Sequence, residues 1–169
     1  MAYTDWIELV DLNIPNKKKL SILEFGLGEG TKYLLDNFKS VYSYELSPDS
    51  KWYDAMVDKF SNYKNWKYEL VLFRDVGFVD YNPNLAPYLL RSIAKLFANN
   101  QFDVVFMDGE YHVRGDIVDI ILKRYAPQYV IIHDITTAFN KDGYDRIQLP
   151  ATYQSVSSYT GEGTRIFYK

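Results

Sequence analysis

The chain contains no cysteine. Disulfides, thiolate metal sites and cysteine nucleophiles are therefore excluded, and nothing in the composition indicates an oxidising compartment. No apolar run approaches the roughly 18 residues of a membrane span, and the first residues, MAYTDW, lack the basic and apolar pattern of a signal peptide. We therefore expect a cytoplasmic protein with no membrane partner.

An excess of basic charge is also missing. The 169 residues carry 19 Lys and Arg against 22 Asp and Glu, which gives a formal net charge of −3. Proteins hold a phosphate backbone chiefly through Lys and Arg, so this balance favours a small-molecule partner and disfavours nucleic acid. The length is typical of one domain, so we expect 1–169 to form a single domain, and a homodimer is one option for its assembly.

Glycine is sparse, but three of the nine glycines are concentrated in one turn. Gly26, Gly28 and Gly30 alternate directly after the apolar, strand-like segment Leu20–Phe25. Such a turn lets a ligand approach the backbone and exposes the amides that open the next helix. Glu45 ends the following strand-like segment, 45 − 26 = 19 residues after the first glycine, where a nucleotide-binding unit places its ribose-binding carboxylate. The stretch predicts a nucleotide-like cofactor.

Strand and helix patterns alternate along most of the chain. The predicted strands are 20–25, 40–45, 66–73, 102–107 and 129–132, followed by 146–149 and 164–168 in the tail. The predicted helices are 4–10, 31–38, 85–97, one that begins at Ser47-Pro48-Asp49 and buries Trp52, Met56, Val57 and Phe60, and one that ends near Tyr125. This order predicts an α/β, Rossmann-like, doubly wound and mostly parallel seven-stranded sheet with an antiparallel C-terminal strand.

Acids and histidines follow the fourth and fifth predicted strands. Asp108 comes after the fourth strand with His112 four residues later, and His133 and Asp134 come after the fifth. Because the carboxyl ends of neighbouring parallel strands share one edge, these residues can converge. Asp108 and Asp134 are candidate ligands for Mg²⁺ or another divalent cation, since carboxylate oxygens suit such ions. A metal-free acceptor site fits equally well, and in a purely structural interpretation Asp108 caps a turn and His133 packs under a loop.

The pattern Glu24-x-Gly26-x-Gly28-x-Gly30 resembles the first motif of the class I S-adenosylmethionine-dependent methyltransferases, in which an acid ending the first strand precedes Gly-x-Gly-x-Gly. The resemblance extends from about residue 20 to 168. It implies S-adenosylmethionine as the cofactor, with Glu24 and the glycine backbone beside its methionine part and Glu45 on both ribose hydroxyls. It also implies Asp75, just after the third strand, as the partner of the adenine amino group, and Asp108 as a further cofactor-binding candidate.

After the fourth strand the chain is similar to small methyltransferases that act on hydroxyls of sugars and natural products, and more distantly to catechol O-methyltransferase. In those proteins two acids, one after each of these strands, hold a divalent metal that orients the acceptor hydroxyl and lowers its pKa. The subgroup has histidine three residues after the first acid, whereas this chain has Tyr111 there. The likeness implies O-methylation of a small-molecule hydroxyl, with catalytic candidates Asp108, His112 and His133. The general base is left open between His112, His133 and no residue.

Three alternatives are weighed against this function. A nicotinamide-dependent oxidoreductase is disfavoured because its third glycine would stand at position 31, which is Thr31. A DNA amino-methyltransferase is disfavoured because no Pro-Pro pair follows Asp108. An S-adenosylmethionine-binding module or partner subunit without its own catalysis remains the main alternative.

Overall fold

Seven strands form a single sheet in the computed structural model, which describes residues 6–47, 49–72, 75, 85–109, 114–136 and 143–169. The strands are β1 (Ser21–Phe25), β2 (Ser40–Ser47), β3 (Trp66–Leu72), β4 (Val104–Met107), β5 (Tyr129–His133), β6 (Gln154–Ser158) and β7 (Thr164–Tyr168). The helices are α1 (Ile7–Asn13), α2 (Thr31–Asn37), α3 (Lys51–Phe60), α4 (Leu85–Asn99) and α5 (Arg114–Ile120). A π-helical turn (Ile121–Tyr125) extends α5, and short 3₁₀ turns occupy Lys17–Lys19 and Tyr144–Arg146.

The strand order is β3-β2-β1-β4-β5-β7-β6. The first five strands pair in parallel, and β7 pairs antiparallel with both β5 and β6. This confirms the predicted Rossmann-like, mostly parallel sheet with its antiparallel C-terminal strand.

The register of the parallel strands brings their carboxyl ends level with one another. Phe25 in β1 lies opposite Tyr44 in β2 and opposite Met107 in β4, and Met107 lies opposite Ile132 in β5. The four residues that directly follow Phe25, Tyr44, Met107 and Ile132 therefore form one row along the carboxyl edge of the sheet. The row consists of Gly26, Glu45, Asp108 and His133.

Apolar side chains cover both faces of the sheet. One buried cluster joins the strands to α1, α2 and α3, and the other joins them to α4, α5 and the π-helical turn. The four residues of β4 are all buried, as expected for a central parallel strand that has helices on both sides. Within the part of the chain that the structure describes, no helix combines the length and apolar character that crossing a bilayer requires.

The predicted strand 146–149 is wrong, and β6 lies at Gln154–Ser158 instead. The guanidinium of Arg146 donates to both carboxylate oxygens of Asp116, and the amide of Gln148 donates to Asp119, so this segment is held along α5 rather than in the sheet. The true sixth strand, QSVSS, is an exposed and polar edge strand, which is why the apolar pattern did not reveal it.

Two helices begin later than predicted. Helix α3 starts at Lys51 because β2 continues through Ser47, which pairs with Leu72 of β3, and the Asp49 side chain accepts from the Lys51 amide. Pro48 lies outside the described residues. Helix α1 starts at Ile7, and residues 4 and 5 of the predicted first helix likewise lie outside the described residues.

Trp52 was predicted on the buried face of the third helix, and this is wrong. Its side chain is 49% exposed. Its indole Nε1 donates to the carbonyl oxygen of Leu27 over 2.6 Å, so the ring is drawn toward the glycine turn instead of the core.

Candidate active site

The glycine turn after β1 and the turn after β4 touch backbone to backbone. Gly26 has a φ of +93°, and a Cβ on it would lie 2.9 Å from the Gly109 Cα. A Cβ on Gly109 would lie 2.7 Å from the Gly26 nitrogen. Both glycines are therefore required for this contact, which places Asp108 directly beside the cofactor-binding candidate.

Gly28 and Gly30 differ in what surrounds them. A Cβ on Gly30 would lie 3.0 Å from Cζ2 of the buried Trp6, so this glycine serves packing. Around Gly28, no atom of the described residues other than its two chain neighbours lies within 4 Å of an added Cβ. Nothing in the packing of this part of the chain requires glycine there, and the open space is where a ligand can approach the backbone.

Leu27, between these glycines, is held from two sides. Its amide donates to Oε2 of Glu45 over 2.7 Å, and its carbonyl accepts from the Trp52 indole. The predicted ribose-binding acid at the end of β2 therefore contacts the glycine turn itself. Its contact with a ribose stays a prediction.

A chain of hydrogen bonds runs from the turn into the interior and converges on Glu24. The Gly28 amide donates to Thr31 Oγ1 over 3.1 Å, and that hydroxyl donates to Glu24 Oε1 over 2.8 Å. From the other side, the Trp66 indole donates to Ser43 Oγ over 3.0 Å, and Ser43 donates to Glu24 Oε2 over 2.5 Å. Both carboxyl oxygens of Glu24 thus lie within hydrogen-bond distance of neutral hydroxyls, and these contacts fix the turn from the interior.

Burial raises the pKa of Glu24 to about 8, although its hydrogen bonds from Ser43 and Thr31 act in the opposite direction. The negative charge of Asp108 raises that pKa further. Glu24 in β1 and Asp108, directly after β4, are therefore close enough to interact.

Asp108, His133 and Asp134 form a cluster at the same edge of the sheet. One potential ligand atom from each residue lies within 4.8 Å of the others. His133 Nδ1 lies 3.0 Å from Asp108 Oδ1 and 3.3 Å from Asp134 Oδ1. Because a carboxylate only accepts, the proton of the His133–Asp108 hydrogen bond is on Nδ1, which leaves Nε2 as the basic nitrogen.

A buried arginine completes this cluster. Arg114, the first residue of α5, is 1% exposed, and its Nη1 lies 2.9 Å from Asp134 Oδ2 and 4.0 Å from Asp108 Oδ1. Its Nη2 donates to the carbonyl oxygens of Asp108 and Gly109 over 3.3 and 3.1 Å. One guanidinium therefore ties the loop after β4 to the loop after β5.

The 3₁₀ turn Tyr144–Arg146 covers this cluster from the side. The Tyr144 hydroxyl donates to the carbonyl oxygen of His133 over 3.0 Å and lies 3.5 Å from Arg114 Nη1. A Cβ on Gly115 would lie only 1.8 Å from the Gly143 carbonyl oxygen, so glycine is needed where α5 meets this turn. Thr164 lies opposite His133 in the register, and its buried hydroxyl has no hydrogen-bond partner among the described residues.

Several residues of this site were not identified as functional from the sequence, among them Arg114, Thr31 and Tyr144. Arg114 carried a weak signal, as a basic residue six positions after Asp108 and just before the acids Asp116 and Asp119. Thr31 entered the sequence analysis only as the residue that breaks a dinucleotide pattern. Tyr144 gave no signal.

Two of the predicted site residues, Asp75 and His112, take no part in the contacts given above. Asp75 is described and exposed just after β3, and its adenine contact stays a prediction. His112 lies outside the described residues, so its candidacy as general base stays a prediction as well.

Comparison with protein-family models found no match, and comparison with curated proteins found none either. Solved structures with the same fold do match. The SAH-bound methyltransferase PaMTH1 of Podospora anserina aligns with a TM-score of 0.61 at 12% identity, over 99% of this chain and 88% of its own. The fibrillarin of Aeropyrum pernix, with natively bound S-adenosylmethionine, aligns with a TM-score of 0.63 at 14% identity, over 99% and 76%.

A third solved structure, the 23S rRNA methyltransferase ErmE, aligns with a TM-score of 0.56 at 16% identity, over 96% of this chain and 67% of its own. At such low identity these likenesses establish the fold alone. The chain has the Rossmann-like fold found in S-adenosylmethionine-dependent methyltransferases.

Proposed function

We propose that this chain is an S-adenosylmethionine-dependent methyltransferase that transfers a methyl group to a hydroxyl of a small molecule. The observation that carries the proposal is the open space at Gly28, in a turn that Glu45 holds by the Leu27 amide and that contacts the Asp108 loop through Gly26 and Gly109. A donor bound at this turn would lie beside the only cluster of acids and histidine that the described residues bring together.

The binding of the cofactor is assigned to the turn and to the end of β2. Glu45 would accept from the ribose hydroxyls, and the backbone around Gly28 would lie along the methionine part, with Glu24 fixing the turn from beneath. This assignment is supported by the fold shared with PaMTH1 and the Aeropyrum fibrillarin, whose structures hold SAH and S-adenosylmethionine.

Methyl transfer needs few catalytic side chains because the sulfonium is already an activated donor. The acceptor oxygen forms a bond to the methyl carbon, the carbon–sulfur bond breaks, and its electron pair remains on the sulfur as a neutral thioether. The protein aligns the two reactants and removes the proton of the hydroxyl. We assign the removal of that proton to Nε2 of His133, whose Nδ1 is hydrogen-bonded to Asp108.

Charge favours a small acceptor over RNA. ErmE acts on 23S rRNA, so the fold by itself is compatible with a nucleic-acid substrate. In this chain the net charge is −3, and the acceptor end presents the partly exposed carboxylates of Asp108 and Asp134. Such groups repel a phosphate backbone and suit a neutral or cationic small molecule.

The experiment is a panel of acceptors assayed with S-adenosylmethionine, with S-adenosylhomocysteine release measured by mass spectrometry. The panel contains polyols, sugars, phenols and total RNA. We expect turnover of a hydroxyl compound, lowered at least about 100-fold in His133→Gln. Asp58→Asn, at an exposed position of α3, is the matched control and should retain full activity.

Two results would contradict the proposal. Turnover of RNA alone would replace the small-molecule acceptor. Tight cofactor binding with no turnover of any acceptor would favour the binding module without its own catalysis.

A further inference from the structure

We propose that Arg114 is a built-in cation at the acceptor end, and that this site therefore works without a divalent metal ion. The proposal rests on the proposed function, because it assigns a charge to the acceptor end of that same site. It selects the metal-free alternative over the metal site that the residues Asp108 and Asp134 suggested.

The atoms that would have to coordinate a metal ion already face hydrogen-bond donors of the protein. Asp134 Oδ2 lies 2.9 Å from Arg114 Nη1. The Oδ1 atoms of Asp108 and Asp134 both face His133 Nδ1, at 3.0 and 3.3 Å. To use the set of two carboxylates and one imidazole, a cation would have to displace the Nδ1 proton of His133 and separate Asp134 from Arg114.

The charges lead to the same conclusion. A guanidinium stays protonated in proteins, and this one, at 1% exposure, lies 2.9 Å from the Asp134 carboxylate and 4.0 Å from that of Asp108. A divalent cation bound between Asp108 and Asp134 would lie beside this fixed positive charge and be repelled by it. Arg114 therefore offsets one of the two negative charges and disfavours a competing ion at the same time.

The arginine cannot easily move aside to admit a metal. Its Nη2 donates to the carbonyl oxygens of Asp108 and Gly109, and its Nη1 lies 3.5 Å from the Tyr144 hydroxyl. These hydrogen bonds also fix the loops after β4 and β5 relative to each other, which a metal ion shared by Asp108 and Asp134 would otherwise do. Arg114 is thus a positioning residue, and the more exposed carboxylates of Asp108 and Asp134 are left to face the acceptor.

The test is Mn²⁺ binding to the full chain, measured by electron paramagnetic resonance without cofactor or acceptor. Wild type, Asp134→Asn and Arg114→Met are compared at matched ionic strength. We expect wild type and Asp134→Asn to bind Mn²⁺ equally weakly. We expect Arg114→Met to bind it at least about tenfold more tightly, and the gain to disappear in the double variant Arg114→Met/Asp134→Asn.

Wild-type binding that Asp134→Asn abolishes would overturn the proposal, and so would a folded Arg114→Met with no gain in affinity. If Arg114→Met does not fold, as judged by circular dichroism, the comparison of wild type with Asp134→Asn still decides. Calorimetry with S-adenosylmethionine on the same wild-type sample separates the two proposals. A chain that binds no cofactor contradicts the proposed function, whereas the Mn²⁺ result concerns Arg114 alone.

Discussion

The two turns that meet at the carboxyl edge of the sheet are stabilised in different ways. The turn after β1 is held by the amides of Leu27 and Gly28 and the Thr31 hydroxyl, whose hydrogen bonds lead to the acids Glu45 and Glu24, and by the Trp52 indole, which donates to the Leu27 carbonyl oxygen. The loops after β4 and β5 are held by charged groups, with one guanidinium between two carboxylates and an imidazole beside them. This difference fits the roles proposed for the two regions. The activated methyl donor has only to be bound and positioned, whereas the acceptor hydroxyl needs a charged environment and a group that removes its proton.

The contact between the two turns should be the most sensitive point. Gly109→Ala places a Cβ 2.7 Å from the Gly26 nitrogen and 2.9 Å from the Phe25 carbonyl carbon, so the backbone must shift. We expect a loss of about 3–5 kcal/mol in the free energy of unfolding, measured by urea denaturation. Gly28→Ala, which meets open space, is the matched control and should change stability by less than about 0.5 kcal/mol. Equal stability of the two variants would refute the backbone contact.

The buried acid beneath the first turn should make stability depend on pH. The pKa of Glu24 is raised from 4.5 to about 8, so between these values the folded chain holds a proton that the unfolded chain has released. Glu24 therefore contributes to the free energy of unfolding at low pH, and this contribution is lost as the pH rises from 4.5 toward about 8. From pH 6 to pH 7.5 we expect a decrease of about 2 kcal/mol by chemical denaturation.

Glu24→Gln, which cannot ionise, serves as the comparison for that titration. Its stability should be nearly flat over the same range of pH. A wild-type curve that is equally flat, or one that rises with pH, would contradict the protonated acid in the interior.

The acid at the end of β2 should affect cofactor binding more than folding. In Glu45→Gln an amide oxygen can still accept from Leu27, but the charge offered to the ribose hydroxyls is lost. We expect S-adenosylmethionine affinity to fall about tenfold, which is about 1.4 kcal/mol, in isothermal titration calorimetry. Glu29→Gln, in the same turn but paired with Lys59 on the surface, should leave the affinity unchanged. Equal effects of both substitutions would remove Glu45 from the ribose site.

The sequence predicted best what depends on local pattern. The parallel strands were found because each is an apolar segment followed by a turn, and the motif from Glu24 to Gly30 lies within a single strand and turn. The strand β6 was missed because an edge strand has no need of an apolar pattern on both faces. Trp52 and Arg114 were missed for another reason, since their roles depend on partners that are distant in the sequence, Leu27 for one and Asp134 for the other.

The central claim is that the glycine turn binds S-adenosylmethionine in the space beside Gly28. The most direct measurement is calorimetric titration of the cofactor into wild type, Gly28→Ala and Gly28→Trp. We predict micromolar binding to wild type, nearly the same in Gly28→Ala, and a loss of at least about 100-fold in a folded Gly28→Trp, whose indole would fill that space. No binding to wild type, or unchanged binding to Gly28→Trp, would contradict the claim.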